Sequence, residues 1–150
     1  MSKFMIKQEF WDIFPEAEIC IVLAKGLDNT EEGAENVLPD ILELLEKSNE
    51  EAKKYLTAEV FSENKVIAVW RQAYQKFKTK KGVRSSIEAL LKRIEKGTGV
   101  GHINPLVDIY NTVSLTYGLP CGGEDIDTFR GDMVLTKADE IGRASCRERV

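Results

Sequence analysis

The sequence HINPLVDIYNTVSLTYGLPCGG, residues 102–123, is the stretch that decides the fold. Of its last twenty residues only Asp108 is charged, although 31% of the whole chain is charged. Asn104 followed by Pro105 is typical of a helix start, because an Asn side chain caps free amides and proline at the first helical position needs no donor. We therefore predict a helix that begins at Asn104 and ends before Gly118, where glycine is a common helix stop.

Two kinds of side chain share this predicted helix. Its predicted core stripe consists of Leu106, Ile109, Tyr110, Val113 and Tyr117. Asp108 and Asn111, three residues apart, form a small polar face. Buried polar groups must be hydrogen-bonded, so a helix of this kind either braces neighbouring loops or lines a pocket. The residues alone leave both interpretations open.

The rest of the chain predicts an α+β fold in a single mixed domain. The run EICIVLA, residues 18–24, is rich in β-branched residues and predicts a buried strand. A capping-box pattern, Ser85 to Glu88, predicts the start of another helix that ends at Gly97. The remaining predicted elements are a strand, or a strand running into a turn, at 4–14, a loop at 27–33, helices at 35–57 and 64–77, and a strand at 132–137.

Length and composition limit the function classes. A chain of 150 residues with 43% hydrophobic content fits one globular domain. It contains neither an apolar run long enough for a membrane span nor the apolar segment of a secretory signal, so we expect a cytoplasmic protein without a membrane partner. The three cysteines lack metal-ligand spacing, and His102 is the only histidine, so we predict no metal site and no cofactor.

Positive charge is concentrated in one part of this acidic protein. Residues 1–69 carry net −8 and residues 97–140 carry net −5, whereas residues 70–96 carry net +7. Such a segment can neutralise phosphates, although it can equally be a solvated helix face with a lysine-rich loop. The candidate phosphate-binding residues are Lys78, Lys80, Lys81, Arg84, Lys92 and Arg93.

The last ten residues, 141–150, differ from the rest of the chain. They are basic, with three arginines and one glutamate, and show neither helical nor strand periodicity. Their codons can all be written as a common short-read sequencing adapter read in frame, so we interpret them as an adapter translation that is not native. The alternative is a genuine disordered basic tail. We therefore expect the native domain to span residues 1–140 and to be incomplete at its C-terminal end.

The stretch RSSIEALLKRI…INPLVDIYNTVSLTYGLPCGGEDIDTFRGDMVL resembles the B3/B4 domain of the phenylalanyl-tRNA synthetase beta subunit, in its free-standing form. The closest resemblance covers residues 84–135, roughly a third of the chain. The positions that carry it are Ile103, Pro105, Leu106, Val107, Asp108, Asn111, Gly118, Pro120, Asp125, Asp127 and Gly131.

The resemblance implies a tRNA-binding domain that acts on charged tRNA. In the synthetase this domain hydrolyses tyrosine wrongly attached to the phenylalanine tRNA, a correction needed where one pocket cannot exclude a near-isostere. By this resemblance the chain is a stand-alone hydrolase that edits mischarged aminoacyl-tRNA, with tRNA or aminoacyl-tRNA as its partner. The alternatives are a non-catalytic RNA-binding or interaction module with the same fold, and a protein that binds a small molecule in the same pocket.

Two departures from the synthetase affect the pocket. Tyr110 stands where the synthetase has threonine, and Gly122 stands where it has histidine, so its pocket chemistry does not carry over directly. The family domain also contributes a glutamate and a glycine-rich stretch from beyond residue 140, so we expect the chain as written to show an opened cleft and little catalysis.

These considerations give a candidate pocket. We predict that the helix at 104–117 forms one wall, and that Gly122 and Gly123 form the rim. Asp108 and Asn111 are predicted to hold this rim through backbone hydrogen bonds. The complete set of pocket candidates is His102, Asn104, Asp108, Tyr110, Asn111, Gly122 and Gly123.

Overall fold

Helices and a short parallel sheet make up the computed structural model, which describes residues 3–79 and 81–137. This arrangement confirms the predicted α+β class. The elements are β1 (Phe4–Ile6), α1 (Gln8–Ile13), α2 (Leu38–Glu51), α3 (Lys65–Gln75), α4 (Ser86–Glu95), α5 (Pro105–Tyr117) and β2 (Met133–Leu135). Short 3₁₀ turns occur at Ala52–Tyr55, Phe61–Glu63 and Ile126–Thr128. The predicted adapter translation at 141–150 lies outside the described residues, as does Lys80.

The sheet joins two distant parts of the chain. β1 pairs in parallel with β2, and Phe4 lies opposite Met133. The amide of Lys3 donates to Asp132 Oδ1 at 2.8 Å, which extends the pairing by a side chain. The first predicted strand is therefore shorter than expected, because the chain turns into α1 directly after β1.

The core lies between helices. Ile67 of α3, Ile87 and Leu91 of α4, and Leu115 of α5 are all fully buried, together with Ala52 in the turn after α2. On α4 the buried positions Ile87, Leu91 and Ile94 recur at four and three, which is the spacing that keeps side chains on one helix face. The helix predicted from the capping box is confirmed. Burial of such side chains contributes about 1.5–3 kcal/mol each.

The predicted core face of α5 is wrong. The buried residues of this helix are Pro105, Val107, Asp108, Asn111, Ser114 and Leu115. The predicted stripe faces outward instead, with Ile109, Val113 and Tyr117 all exposed, Tyr117 to 67%. α5 packs mainly against α2, and half of its buried residues, namely Asp108, Asn111 and Ser114, are polar. The buried Asp108 and Ser114 of α5 are therefore packing groups whose hydrogen bonds are made inside the protein.

The buried strand predicted at residues 18–24 is also wrong. These residues form no regular secondary structure, and all are exposed. Val22 is 86% exposed and Leu23 is 63% exposed. The preference of β-branched residues for strands reflects packing on a sheet, and in the described part of the chain β1 pairs with β2 instead of with this segment.

The predicted helices at 35–57 and 64–77 are confirmed as α2 and α3, with shorter bounds. Pro39 lies in the first turn of α2, where its missing N–H costs no hydrogen bond. On α3 the fully buried residue is Ile67, whereas Val69 is 56% exposed. Trp70 packs against the core.

Candidate functional site

The N-terminus of α5 is held by a side-chain network. Asn104 Oδ1 accepts from the amide of Val107 at 3.0 Å, which confirms the predicted cap. Asn29, from the loop before α2, donates to Asn104 Oδ1 at 3.1 Å and accepts from the amide of Leu106 at 2.8 Å. Asn29, from a distant loop, and the cap residue Asn104 therefore together satisfy backbone amides at the start of α5.

The loop that supplies Asn29 is itself tightly turned. Asp28 Oδ1 accepts from the amide and the hydroxyl of Thr30, at 3.0 and 2.6 Å, and these bonds lower the pKa of the Asp28 carboxyl. The Thr30 hydroxyl also accepts from the amide of Gly33 at 3.0 Å. The loop predicted at residues 27–33 is therefore confirmed, and its turns are held by Asp and Thr side chains.

His102 lies between two carboxylates in front of α5. Its Nδ1 is 2.5 Å from Asp108 Oδ2, and its Nε2 is 3.2 Å from Glu31 Oε1. Asp108 is completely buried, and its other oxygen accepts from the amide of Ile103 at 2.9 Å. Hydrogen bonds to Asp108 and then to Glu31 raise the pKa of His102 above the usual 6.5. The arrangement orients the imidazole and fixes its Nδ1 toward Asp108.

Both oxygens of Asp108 therefore serve residues that precede α5, not the glycine loop that follows it. The loop after α5 is held by Ser114, whose hydroxyl donates to the carbonyl of Leu119. The predicted bond from Asp108 to the rim is wrong for a geometric reason. Asp108 lies in the first turn of α5, whereas the loop leaves from the other end. Asn111 is buried on the same face as Asp108.

Tyr110 is the pocket candidate that meets the glycine loop. A Cβ added at Gly123 would lie 3.4 Å from Tyr110 Cε1 and 3.8 Å from Leu106 Cδ2, so this glycine passes close to the exposed face of α5. A Cβ added at Gly122 would meet no atom within 4 Å. Burial and then the charges of Asp108 and Glu124 raise the pKa of the Tyr110 hydroxyl. This hydroxyl therefore remains a proton donor at neutral pH.

The predicted phosphate-binding residues are not equivalent. Lys78, Lys81, Arg84 and Arg93 are exposed. Lys92 instead pairs with Glu95 and lies over the ring of Phe61, 4.2 Å from its centroid. That lysine is partly neutralised by interactions within the protein, so it is a weaker candidate for a phosphate contact.

A cluster of two arginines and a glutamate lies between α3 and α4. Glu88 is 1% exposed, and its carboxylate accepts from Nε and Nη2 of Arg71 at 3.2 and 2.7 Å. Arg84 Nε is 3.7 Å from Glu88 Oε1. The same carboxylate raises the pKa of Arg71. The Ser85 hydroxyl accepts from the amide of Glu88 at 3.4 Å, which confirms the predicted cap. A capping box also has a bond from the Glu88 side chain back to the amide of Ser85, but here the Glu88 carboxylate pairs with Arg71 instead.

Sequence reasoning missed this cluster. The spacing of Arg84 and Glu88, four residues apart, was a visible signal of a helical pair. Arg71 comes from another helix, and no local pattern connects it to Glu88. The three side chains border a cavity of about 320 Å³ that is also lined by Tyr74 and Gln75.

Within residues 3–79 and 81–137, no group of three or more His, Cys, Asp or Glu side chains is arranged to hold a metal ion. None of the helices in that part of the chain has both the length and the apolar character needed to cross a bilayer.

Comparison with known proteins identifies one family. The sequence model of the family described as the B3/4 domain matches residues 69–143, which is half of the chain. The match includes α4 and α5, the arginine–glutamate cluster and the glycine loop. No curated protein and no solved structure matches the chain.

Proposed function

We propose that this chain, which belongs to the B3/4 domain family, binds tRNA at its aminoacylated end. The family match carries the proposal, because the B3/4 domain is a domain of the phenylalanyl-tRNA synthetase beta subunit. The segment with net +7, residues 70–96, falls inside the matched region. A local positive field supports binding to a polyanion even though the whole chain is acidic. This function belongs in the cytoplasm, where tRNA is charged.

The favoured activity is hydrolysis of mischarged aminoacyl-tRNA by a stand-alone editing domain. Ester hydrolysis of this kind needs a positioned water and donors at the developing oxyanion, and it needs no nucleophilic serine or cysteine. The exposed Gly122, with open space around its Cα, and the donor hydroxyl of Tyr110 support this chemistry on the outer face of α5. Tyr110 is larger than the threonine of the synthetase, so the amino acid removed need not be tyrosine.

His102 has a positioning role in this proposal. Its pairing with Asp108 and Glu31 ties the loop at residues 28–33 to the start of α5. A catalytic base must reach the proton that it removes. A histidine engaged at both ring nitrogens is better suited to hold the helix entrance than to accept a proton from water.

The alternative is a non-catalytic RNA-binding or interaction module with the same fold. Incubation of the full-length protein with a panel of mischarged tRNAs separates the two functions. Release of the amino acid supports editing, whereas salt-sensitive tRNA binding without release supports the module. A protein that turns over no substrate and binds no tRNA would contradict both, and the same pocket would then be tested for small molecules.

RNA binding through the basic segment has its own test. Charge reversal of Lys80 and Lys81 together should weaken tRNA binding regardless of tRNA sequence and should flatten the dependence of log affinity on log salt, because fewer counterions are released. Reversal of Lys47 and Lys53, on and just after α2, is the matched control, since these lysines lie outside the basic segment. Equal affinity of the Lys80–Lys81 variant and the wild type would leave the segment as an ordinary solvated surface.

A further inference from the structure

The cavity between α3, the loop before α4 and α4 itself is lined by two arginines. Arg71 enters from α3, Arg84 comes from the loop, and the buried Glu88 of α4 lies between them. We propose that this cavity binds a phosphate group of a nucleotide. The inference rests on the proposed RNA-binding function for one point only, namely that the phosphate in the complex belongs to the tRNA backbone.

Charge supports an anion in this cavity. The Glu88 carboxylate neutralises one guanidinium, so the three side chains together carry one net positive charge. Because Glu88 is buried and fixed by Arg71, it cannot move away to pair with solvent cations. The excess charge is therefore placed at the more exposed partner, Arg84, whose side chain is 58% exposed.

The geometry of the donors also fits a phosphate. A guanidinium has five N–H donors, and Arg71 uses Nε and Nη2 on Glu88. Arg84 Nε, at 3.7 Å from the carboxylate, is beyond hydrogen-bond distance, so this ion pair commits none of its donors. The uncommitted donors of Arg84 and the remaining N–H donors of Arg71 line one cavity, and this set suits the oxygens of a phosphate, which arginine binds in bidentate fashion.

Tyr74 adds a feature that suits a nucleotide over a bare anion. Its half-buried ring lines the same cavity. Burial and then the charge of Glu88 raise the pKa of its hydroxyl, which therefore remains a donor at neutral pH. A tyrosine can present an aromatic face to a base or ribose and a hydroxyl to an oxygen of the ligand. Lys78 and Lys81, on the loop that leads into the cavity, favour a polyanion over a small carboxylate.

Titration calorimetry with the full chain tests the cavity without reference to RNA. The probes are AMP, adenosine and inorganic phosphate. We expect AMP to bind, inorganic phosphate to bind more weakly and adenosine to bind least. Arg84→Gln should weaken AMP binding at least about tenfold, because a hydrogen bond to a charged group is lost. The affinity of Arg84→Lys for AMP should lie between that of the wild type and that of Arg84→Gln, since lysine keeps the charge but lacks the paired N–H donors of a guanidinium.

The control is Lys47→Gln, which removes one positive charge from an exposed side chain on α2 and should leave AMP binding unchanged. Arg84 is preferred to Arg71 because removal of Arg71 leaves a buried carboxylate poorly compensated, which can prevent folding. Circular dichroism melting checks that each variant is folded. Failure of the wild type to bind AMP and phosphate, or equal binding by Arg84→Gln and Lys47→Gln, would overturn the inference.

The same variants are then titrated with tRNA. If Arg84→Gln has a lower affinity for both AMP and tRNA, the bound phosphate is assigned to the RNA backbone. If its affinity falls for AMP alone while the wild type binds tRNA, the phosphate site stands and is assigned to a free nucleotide. Tight AMP binding by a wild type that binds no tRNA rejects the proposed function and leaves the phosphate site standing.

Discussion

His102 links protonation to the stability of the fold. Its pKa is raised above the usual 6.5, first by the hydrogen bond to Asp108 and then by that to Glu31. A raised pKa in the folded state means that the proton is bound more tightly there than in the unfolded chain. The resulting stabilisation is fully present below pH 6.5 and is lost as the pH rises through the pKa that His102 has in the folded protein. We expect the free energy of unfolding to decrease across this window.

Urea unfolding at a series of pH values measures this effect. His102→Gln should remove the decrease, and it is a clean variant because His102 is the only histidine in the chain. Burial raises the pKa of the Cys121 thiol, which moves its titration to higher pH. Parallel stability profiles for the wild type and the variant would show that the Asp108 and Glu31 bonds do not stabilise the charged imidazole.

Gly33 is required for the turn that positions Asn29 against α5. A Cβ at this position would lie 2.2 Å from Asp28 Cγ and 2.7 Å from Asp28 Cβ, which no side-chain rotation relieves completely. Gly33→Ala should therefore destabilise the protein by about 1–3 kcal/mol, in the range for changes that force a backbone shift. Gly101→Ala, where an added Cβ meets no atom within 4 Å, is the matched control. Equal unfolding midpoints for the two variants would contradict this account of the turn.

The ends of α5 could be predicted from the sequence, but its buried face could not. Asn104, Pro105 and Gly118 act within one or two turns of the helix, so their residue types suffice to place the start and the stop. The face that becomes buried depends on the partner helix. The side of α5 that carries Asp108 and Ser114 is buried, and the hydrogen bonds of both offset this burial.

Paired truncations on α5 decide between the two faces. Leu115 is fully buried and Ile109 is 46% exposed, whereas the sequence pattern predicted that Ile109 lies in the core. Leu115→Ala should lower the free energy of unfolding by about 2–5 kcal/mol, because it leaves a cavity. Ile109→Ala should cost less than about 1 kcal/mol, since much of the removed surface is already in water. The opposite order, measured by chemical denaturation, would restore the predicted stripe.

Long-range pairing is the part of the architecture that sequence patterns predicted least well. The run at residues 18–24 has the composition of a buried strand, yet it is exposed, while three-residue strands with weaker signals pair instead. Strand propensity describes how a side chain packs on a sheet and does not choose the partner. The arginine–glutamate cluster was missed for the same reason, since Arg71 and Glu88 are seventeen residues apart and on different helices.

The sheet that joins the two ends of the described chain should open more readily than the helical core. β1 and β2 have three residues each, and two-stranded pairs of this size are marginal in water. The amide of Lys7 donates to the carbonyl of Leu135 at 2.9 Å, and the amide of Met133 donates to the carbonyl of Lys3 at 2.8 Å. These two amides therefore report on the opening of the sheet.

Native-state hydrogen exchange of the full chain tests this difference. We expect the amides of Lys7 and Met133 to exchange about a hundredfold faster, or more, than the helical amides of Leu91 and Leu115, because local opening costs far less than global unfolding. The helical amides are the internal control, since both residues are fully buried in the core. Equal protection of the two sets would mean that the sheet opens only with the core, so that the pairing of β1 with β2 is part of the same cooperative unit.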